Sequence, residues 1–166
     1  MTPLIVVGNS DITLDQARVQ MSVWSSWSAP LIMSNDLRAM PPGHADILLN
    51  KYVIAVDQDP LGIMARMVNV TGNCNVYPWC QMTFVKPMTP VIKNGTYSYA
   101  VAIVNRDTTA HPVSFMLSNL GLTNPSGYNV MDLWAGKIVG TYKPSDTYTA
   151  NVNGTGVHFI KATALQ

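Results

Sequence analysis

Residues 31–62 open with Leu31-Ile32-Met33-Ser34-Asn35-Asp36-Leu37-Arg38, pass through Pro41-Pro42, and close with Asp57-Gln58-Asp59-Pro60-Leu61-Gly62. Leu31-Ile32-Met33 is a short apolar run between Pro30 and a polar triplet, the pattern of a strand buried on both faces. Pro41-Pro42 then opens a helix through about residue 49. Upstream, Leu4-Ile5-Val6-Val7 between Pro3 and Gly8 repeats the buried-strand pattern. Thr13 and Gln16 have capping-box spacing, and Leu14, Ala17, Met21 and Trp24 recur at helical intervals, with Trp27 or Ser28 next. A helix over 14–26 follows, ended by Pro30. The order β-α-β-α is the repeat of a parallel α/β fold. Two strands cannot close a barrel, so Leu14, Met21, Trp24 and Trp27 would form an apolar patch without further barrel strands to pack on.

Beyond Gly62 the hydrophobic period changes to two. The alternation predicts strands over 65–70, 81–86, 97–104, 112–118, 128–134, 137–142, 146–152 and 156–163, separated by Gly, Pro and Asn. This spacing suits an antiparallel β-sandwich. Tyr97, Tyr99, Val101 and Ile103 share one face of the third strand, with smaller side chains on the other face until Val104. Ala135-Gly136 and Asn153-Gly154 are hairpin-turn signals.

The motifs carry a resemblance. Met33–Arg38 and Asp57–Gly62 resemble the last barrel repeat of glycoside hydrolase family 27, the α-galactosidases and α-N-acetylgalactosaminidases. Met21–Pro30 is similar to the preceding barrel helix and Ile5–Asn9 to the strand before it. Tyr99–Arg106, Met131–Gly140 and Gly156–Leu165 resemble strands of that family's C-terminal sandwich. The resemblance implies the last two β/α units of a (β/α)8 TIM barrel, residues 1–61, followed by an antiparallel Greek-key β-sandwich, residues 62–166. It further implies retaining hydrolysis of terminal α-linked galactose or N-acetylgalactosamine by two aspartates, without cofactor. Both catalytic aspartates of the family stand on earlier barrel strands. A further substrate-binding Asp precedes the strand that here begins at Leu4, where this chain has Thr2-Pro3. No catalytic residue is therefore expected in these 166 residues, and Leu4 is the one candidate for the pocket floor, with a buried strand position as its simpler reading. A stand-alone carbohydrate-binding or interaction module is the alternative function. A homodimer and a lysosomal or secreted location are the assembly and compartment that the family implies.

Composition sets the outer limits. Hydrophobic residues make up 48% and charged residues 11% of 166, with net charge +1, enough for a sizeable core. The ten Lys and Arg are scattered, which argues against a nucleic-acid groove or a membrane-surface patch. No apolar run approaches the roughly 20 residues needed to cross a bilayer, and no signal peptide is legible after Met1.

Among candidate sites, Asp36 would stand at the C-terminal end of the second strand, the face where barrels place their chemistry, but the resemblance makes its segment a supporting wall. Asp57 and Asp59 read as the turn between barrel and sandwich rather than a catalytic pair, with Arg38 as a partner for one of them. Cys74 and Cys80 enclose five residues including Pro78, so a disulfide fits, with free thiols as the alternative. A zinc site would need further ligands, and His44, His111 and His158 lie in different elements, so no metal is expected. Asn69-Val70-Thr71, Asn94-Gly95-Thr96 and Asn153-Gly154-Thr155 are glycosylation sequons at strand ends or turns. Trp24, Trp27 and Trp134 read as core residues. Trp79 is the one tryptophan placed to meet a ligand.

Overall fold

The computed structural model describes residues 4–9, 11–74 and 80–166; Thr2-Pro3 and Trp79 lie outside them. Three helices, α1 (Leu14–Ser26), α2 (His44–Leu48) and α3 (Lys51–Asp57), precede eight strands: β1 (Arg66–Gly72), β2 (Cys80–Ile92), β3 (Thr96–Asn105), β4 (His111–Met116), β5 (Tyr128–Asp132), β6 (Lys137–Tyr142), β7 (Thr147–Val152) and β8 (Val157–Ala164). All pairings within the two sheets are antiparallel. One sheet has the order β1-β2-β3-β8-β5-β6 and the other pairs β4 with β7. β8 thus returns from the chain end to lie between β3 and β5.

The capping box at Thr13 forms: its hydroxyl accepts from Gln16 N–H, and the Gln16 side chain accepts from Thr13 N–H. The second half of the helical region departs from expectation. The helix begins at His44, after Gly43 in the left-handed conformation, and stops at Leu48; Asn50 then caps a further helix, α3, by accepting from Tyr52 and Val53 N–H. The two expected buried strands shrink to one parallel bridge, Ile5 to Met33, held by Ile5 N–H to Ile32 C=O and Ser34 N–H to Ile5 C=O, each 2.8 Å. Ile5 and Val7 are fully buried, but Ile32 and Met33 are half exposed. Only one side of this pair is covered among the described residues, so the double burial typical of a parallel strand is missing.

β2 runs through Pro87 and Pro90, longer than the expected 81–86. Its pairing with β1 ends at Val85, so beyond that point no described strand pairs with that edge of β2 and a proline there removes no ladder bond.

The six-stranded sheet is covered on both faces. Against one face lie α1, α2 and α3, in a core that joins Ile5, Met21, Val53 and Val56 to Phe84, Met88, Ala102 and Phe159. Against the other face lie β4, β7 and the turn Leu117–Leu120, packed on Val101, Ile103, Tyr128, Val130 and Ile160. The alternation in β3 decides which layer goes where. Ala100 and Ala102 face the helices, and Val101 and Ile103 face β4 and β7. The tryptophans of α1 therefore do not form a bare patch. Trp27 stands edge-on to Phe84, with ring centroids 6.2 Å apart, and the sheet supplies the surface expected from barrel strands.

Lys86 ties the layers together. It is fully buried on β2, and its Nζ donates to Ser25 C=O (3.1 Å), Val56 C=O (2.7 Å) and Ser28 Oγ (2.6 Å). Two of these acceptors belong to the last turns of α1 and α3, where free carbonyls concentrate and a cation is favoured.

Candidate functional site

The C-terminal ends of the two barrel-like segments form an open depression lined by Asn9, Met33, Ser34, Asn35, Asp36 and Arg38. Asn35 reaches back and donates from Nδ2 to Val7 C=O, which locks the second segment to the first. Gly8 makes this approach possible. Its φ is +103°, and a Cβ there would stand 2.9 Å from Asn35 Nδ2.

Asp36 does not point at a reactive partner. Its carboxylate takes a two-pronged contact from Arg38, Nε at 2.9 Å and Nη2 at 2.8 Å, plus Arg38 N–H at 2.9 Å. These bonds hold the Asp36 carboxyl below its ordinary range. The expected partnership of Arg38 with Asp57 or Asp59 is thereby corrected. The fork of Arg38 is satisfied two residues away, a shorter reach than to the far end of α3.

Asp59 holds the turn after α3, as expected, whereas Asp57 is the last residue of α3 itself. Both are buried. Asp59 Oδ2 accepts from Thr89 N–H (2.9 Å) and Thr89 Oγ1 (2.7 Å), and Oδ1 accepts from Leu61 N–H (3.1 Å). Burial pushes the Asp59 carboxyl up, yet the bonds from Thr89 and Leu61 outweigh it and the group ends below its usual value. Asp57 goes the other way, raised by burial against the opposing pull of the Gln58 amide and the Lys86 charge. Burial also lowers the Lys86 ammonium, with Asp57 and Asp59 opposing. Asp59 has committed both oxygens to backbone and side-chain donors, so its chemistry is that of a clamp.

Leu4 is 45% exposed, not the buried strand residue of the simpler reading, because no strand among the described residues covers its side of the segment. The Cys74–Cys80 disulfide is formed, with Cα atoms 5.0 Å apart. Asn69 lies on β1, exposed along its whole length, and Asn153 is exposed after β7; the Asn94 side chain lies outside what the structure describes. Trp134 is not inside a strand. β5 ends at Asp132, whose Oδ1 accepts from both Trp134 and Ala135 N–H, making a four-residue turn where a two-residue hairpin was expected.

The sequence reading passed over Lys86. The available signal was a lysine inside the apolar run Met82-Thr83-Phe84-Val85-Lys86-Pro87-Met88, where a charge survives only if it meets acceptors.

Comparison with known families joins the two halves. Residues 2–59 match the family model described as "Alpha galactosidase A", and residues 83–162 match "Alpha galactosidase C-terminal beta sandwich domain", in that order. The chain belongs to the α-galactosidase family, glycoside hydrolase family 27. Within that family it is 31% identical to the α-N-acetylgalactosaminidase of Gallus gallus, over 93% of this chain and 35% of the relative. It is 29% identical to α-galactosidase A of Homo sapiens, over 95% of this chain and 35% of the relative. The chain thus spans about a third of the length of these glycosidases. Its fold follows α-galactosidase I of Mortierella vinacea with a TM-score of 0.82 at 24% identity, covering 97% of this chain and 38% of the other. An α-galactosidase of Saccharomyces cerevisiae, solved with raffinose, gives a TM-score of 0.83 at 18% identity, over 96% of this chain and 45% of the other.

Proposed function

We propose that these 166 residues are the closing barrel units and sandwich of a retaining α-galactosidase-type glycosidase acting on terminal α-linked galactose or N-acetylgalactosamine, and that they are inactive alone. A retaining glycosidase needs two carboxyl groups about 5 Å apart across the sugar, one nucleophilic and one proton-donating. The observation that carries the reading is the state of the carboxylates beside the barrel-like segments: Asp36 is held by Arg38 and Asp59 by Thr89 and Leu61. Asp36 is the one carboxylate among the described residues that line the depression, so the pair that such chemistry needs is lacking there. The nucleophile and acid are assigned to barrel strands outside this chain, with Leu4 at the margin of their pocket. Passage through a secretory compartment, towards a lysosome or the exterior, agrees with the disulfide and would allow glycans on Asn69, Asn94 and Asn153.

The test is hydrolysis of an aryl α-galactoside and an aryl α-N-acetylgalactosaminide. The 166-residue chain should release no aryl alcohol above a mock purification, and the same residues joined to a family barrel should turn over. Turnover by the chain itself that vanishes with Asp36→Asn would make Asp36 catalytic and overturn the reading. A chain that binds these sugars yet fails to restore activity in the joined protein would favour a non-catalytic carbohydrate-binding module.

A further inference from the structure

A second concavity lies where α1, the β5–β6 turn, β7 and the start of β8 meet. It measures about 330 Å³ and includes Arg18, Asp132, Trp134, Asn151 and His158 in its lining. That volume is at the small end of the range for ligand pockets, about 300–1,000 Å³, and suits one sugar ring rather than an extended chain. Trp134 is set in the wall by two attachments. Its backbone N–H is held by Asp132 Oδ1 at 2.9 Å, and its indole N–H donates to Ser22 Oγ on α1 at 3.1 Å. With its polar edge already satisfied, the ring offers the pocket only apolar surface.

The polar lining has hydrogen-bonding capacity left over. Arg18 spends one N–H on Asp15, at 3.0 Å, and keeps the remaining donors of its fork. The Asn151 amide makes no hydrogen bond with a described residue. His158 Nε2 is engaged by Tyr148 OH at 2.7 Å, but its Nδ1 stands 3.9 Å from Asp132 Oδ2, beyond hydrogen-bond range. Acidic and basic groups both line the cavity, which gives an anion such as phosphate no concentrated positive field. An aromatic face beside planar, partly unsatisfied donors and acceptors is instead the chemistry for a ring with an apolar C–H face and several hydroxyls.

We propose that this pocket binds a single pyranoside ring, stacked on Trp134, with Arg18, Asn151 and His158 hydrogen-bonded to its hydroxyls. The site is formed wholly by described residues of this chain and does not rest on the glycosidase reading above.

The experiment is a titration of the isotopically labelled 166-residue chain, made in bacteria so that Asn153 carries no glycan, and folded with its disulfide closed. Methyl α-D-galactopyranoside is added and followed by amide and indole resonances, with glycerol at equal concentration as the control. Saturable shifts confined to Trp134, Ala135, Asn151 and His158, with a dissociation constant of about 1 mM or tighter, are the expected result. Asn151→Ala and Arg18→Gln should each weaken binding by about fivefold to tenfold while leaving the remaining spectrum in place. Arg18 and its ion-pair partner Asp15 are substantially exposed, and such pairs add little to folding. Absence of saturable shifts, equal shifts with glycerol, or unchanged affinity in both variants would overturn the proposal. Loss of hydrolysis in the joined enzyme would bear on the glycosidase reading and leave this titration unaffected.

Discussion

Lys86 joins the six-stranded sheet to the ends of two helices, and its role makes a defined energetic demand. Lys86→Met keeps the volume but removes the ammonium that donates to the Ser25 and Val56 carbonyls and the Ser28 hydroxyl, and takes away the positive charge that opposes the burial of Asp57. Burial of unpaired acceptors should cost about 2 kcal/mol, seen as a lower urea midpoint with an unchanged slope. His158 gives a pH signature. Burial lowers its value below the ordinary 6.5, against the opposing pull of Asp132. The unfolded chain then takes up a proton on this ring at a higher pH than the folded chain does. The stability it contributes is complete above about pH 6.5 and is lost as pH falls through the folded value. The melting temperature should fall on acidification from pH 7 to pH 5, and His158→Gln should flatten that part of the profile. The sequence shows both residues as oddities within strands, but says nothing of their partners, which come from positions as distant as Ser25 and Tyr148.

At the scale of elements, α3 owes its start to Asn50. The Asn50 side chain accepts from Tyr52 and Val53 N–H and donates to Leu133 C=O at 3.2 Å, so one residue caps the helix and pins it to the β5–β6 turn. Asn50→Ala should cost about 1–2 kcal/mol, and Asn50→Asp should recover the part due to the cap while losing the bond to Leu133. Thermal melts of the two variants separate these contributions. α1 and the eight strands were legible because each carries its own signal: a capping box with periodic apolar residues, or period-two alternation between turn residues. α3 was not. It follows α2 after only two residues, and Asn50 as an N-cap is evident only once the chain is seen to break at Leu49. The strand signals of residues 4–7 and 31–33 yielded only one parallel bridge, for the opposite reason. Their apolar runs presuppose neighbours on both sides, and the described residues cover one.

For the whole molecule, the helices and the sandwich share a core. Residues 62–166 produced alone would uncover the sheet face carrying Phe84, Met88, Ala100, Ala102 and Phe159. An exposed apolar patch of that extent is one that soluble monomers avoid. The truncated chain should bind a hydrophobic dye and aggregate at concentrations where the full chain stays dispersed, as light scattering would show. The amino-acid sequence by itself determined the change of period at Gly62, the eight strands, the helix over 14–26 and the likeness of Met33–Arg38 and Asp57–Gly62 to one glycosidase family. These are local patterns, fixed by backbone geometry and by residues adjacent in the chain. Only the tertiary structure decided that Lys86 bridges two helix ends, that Trp27 at the end of α1 rests on Phe84, and that Trp134 leaves its strand to wall a pocket with Arg18, Asn151 and His158. Hydrogen-bond partners and packing faces are set by which distant segments meet, and that choice is made by the burial of the whole chain rather than by any stretch of it.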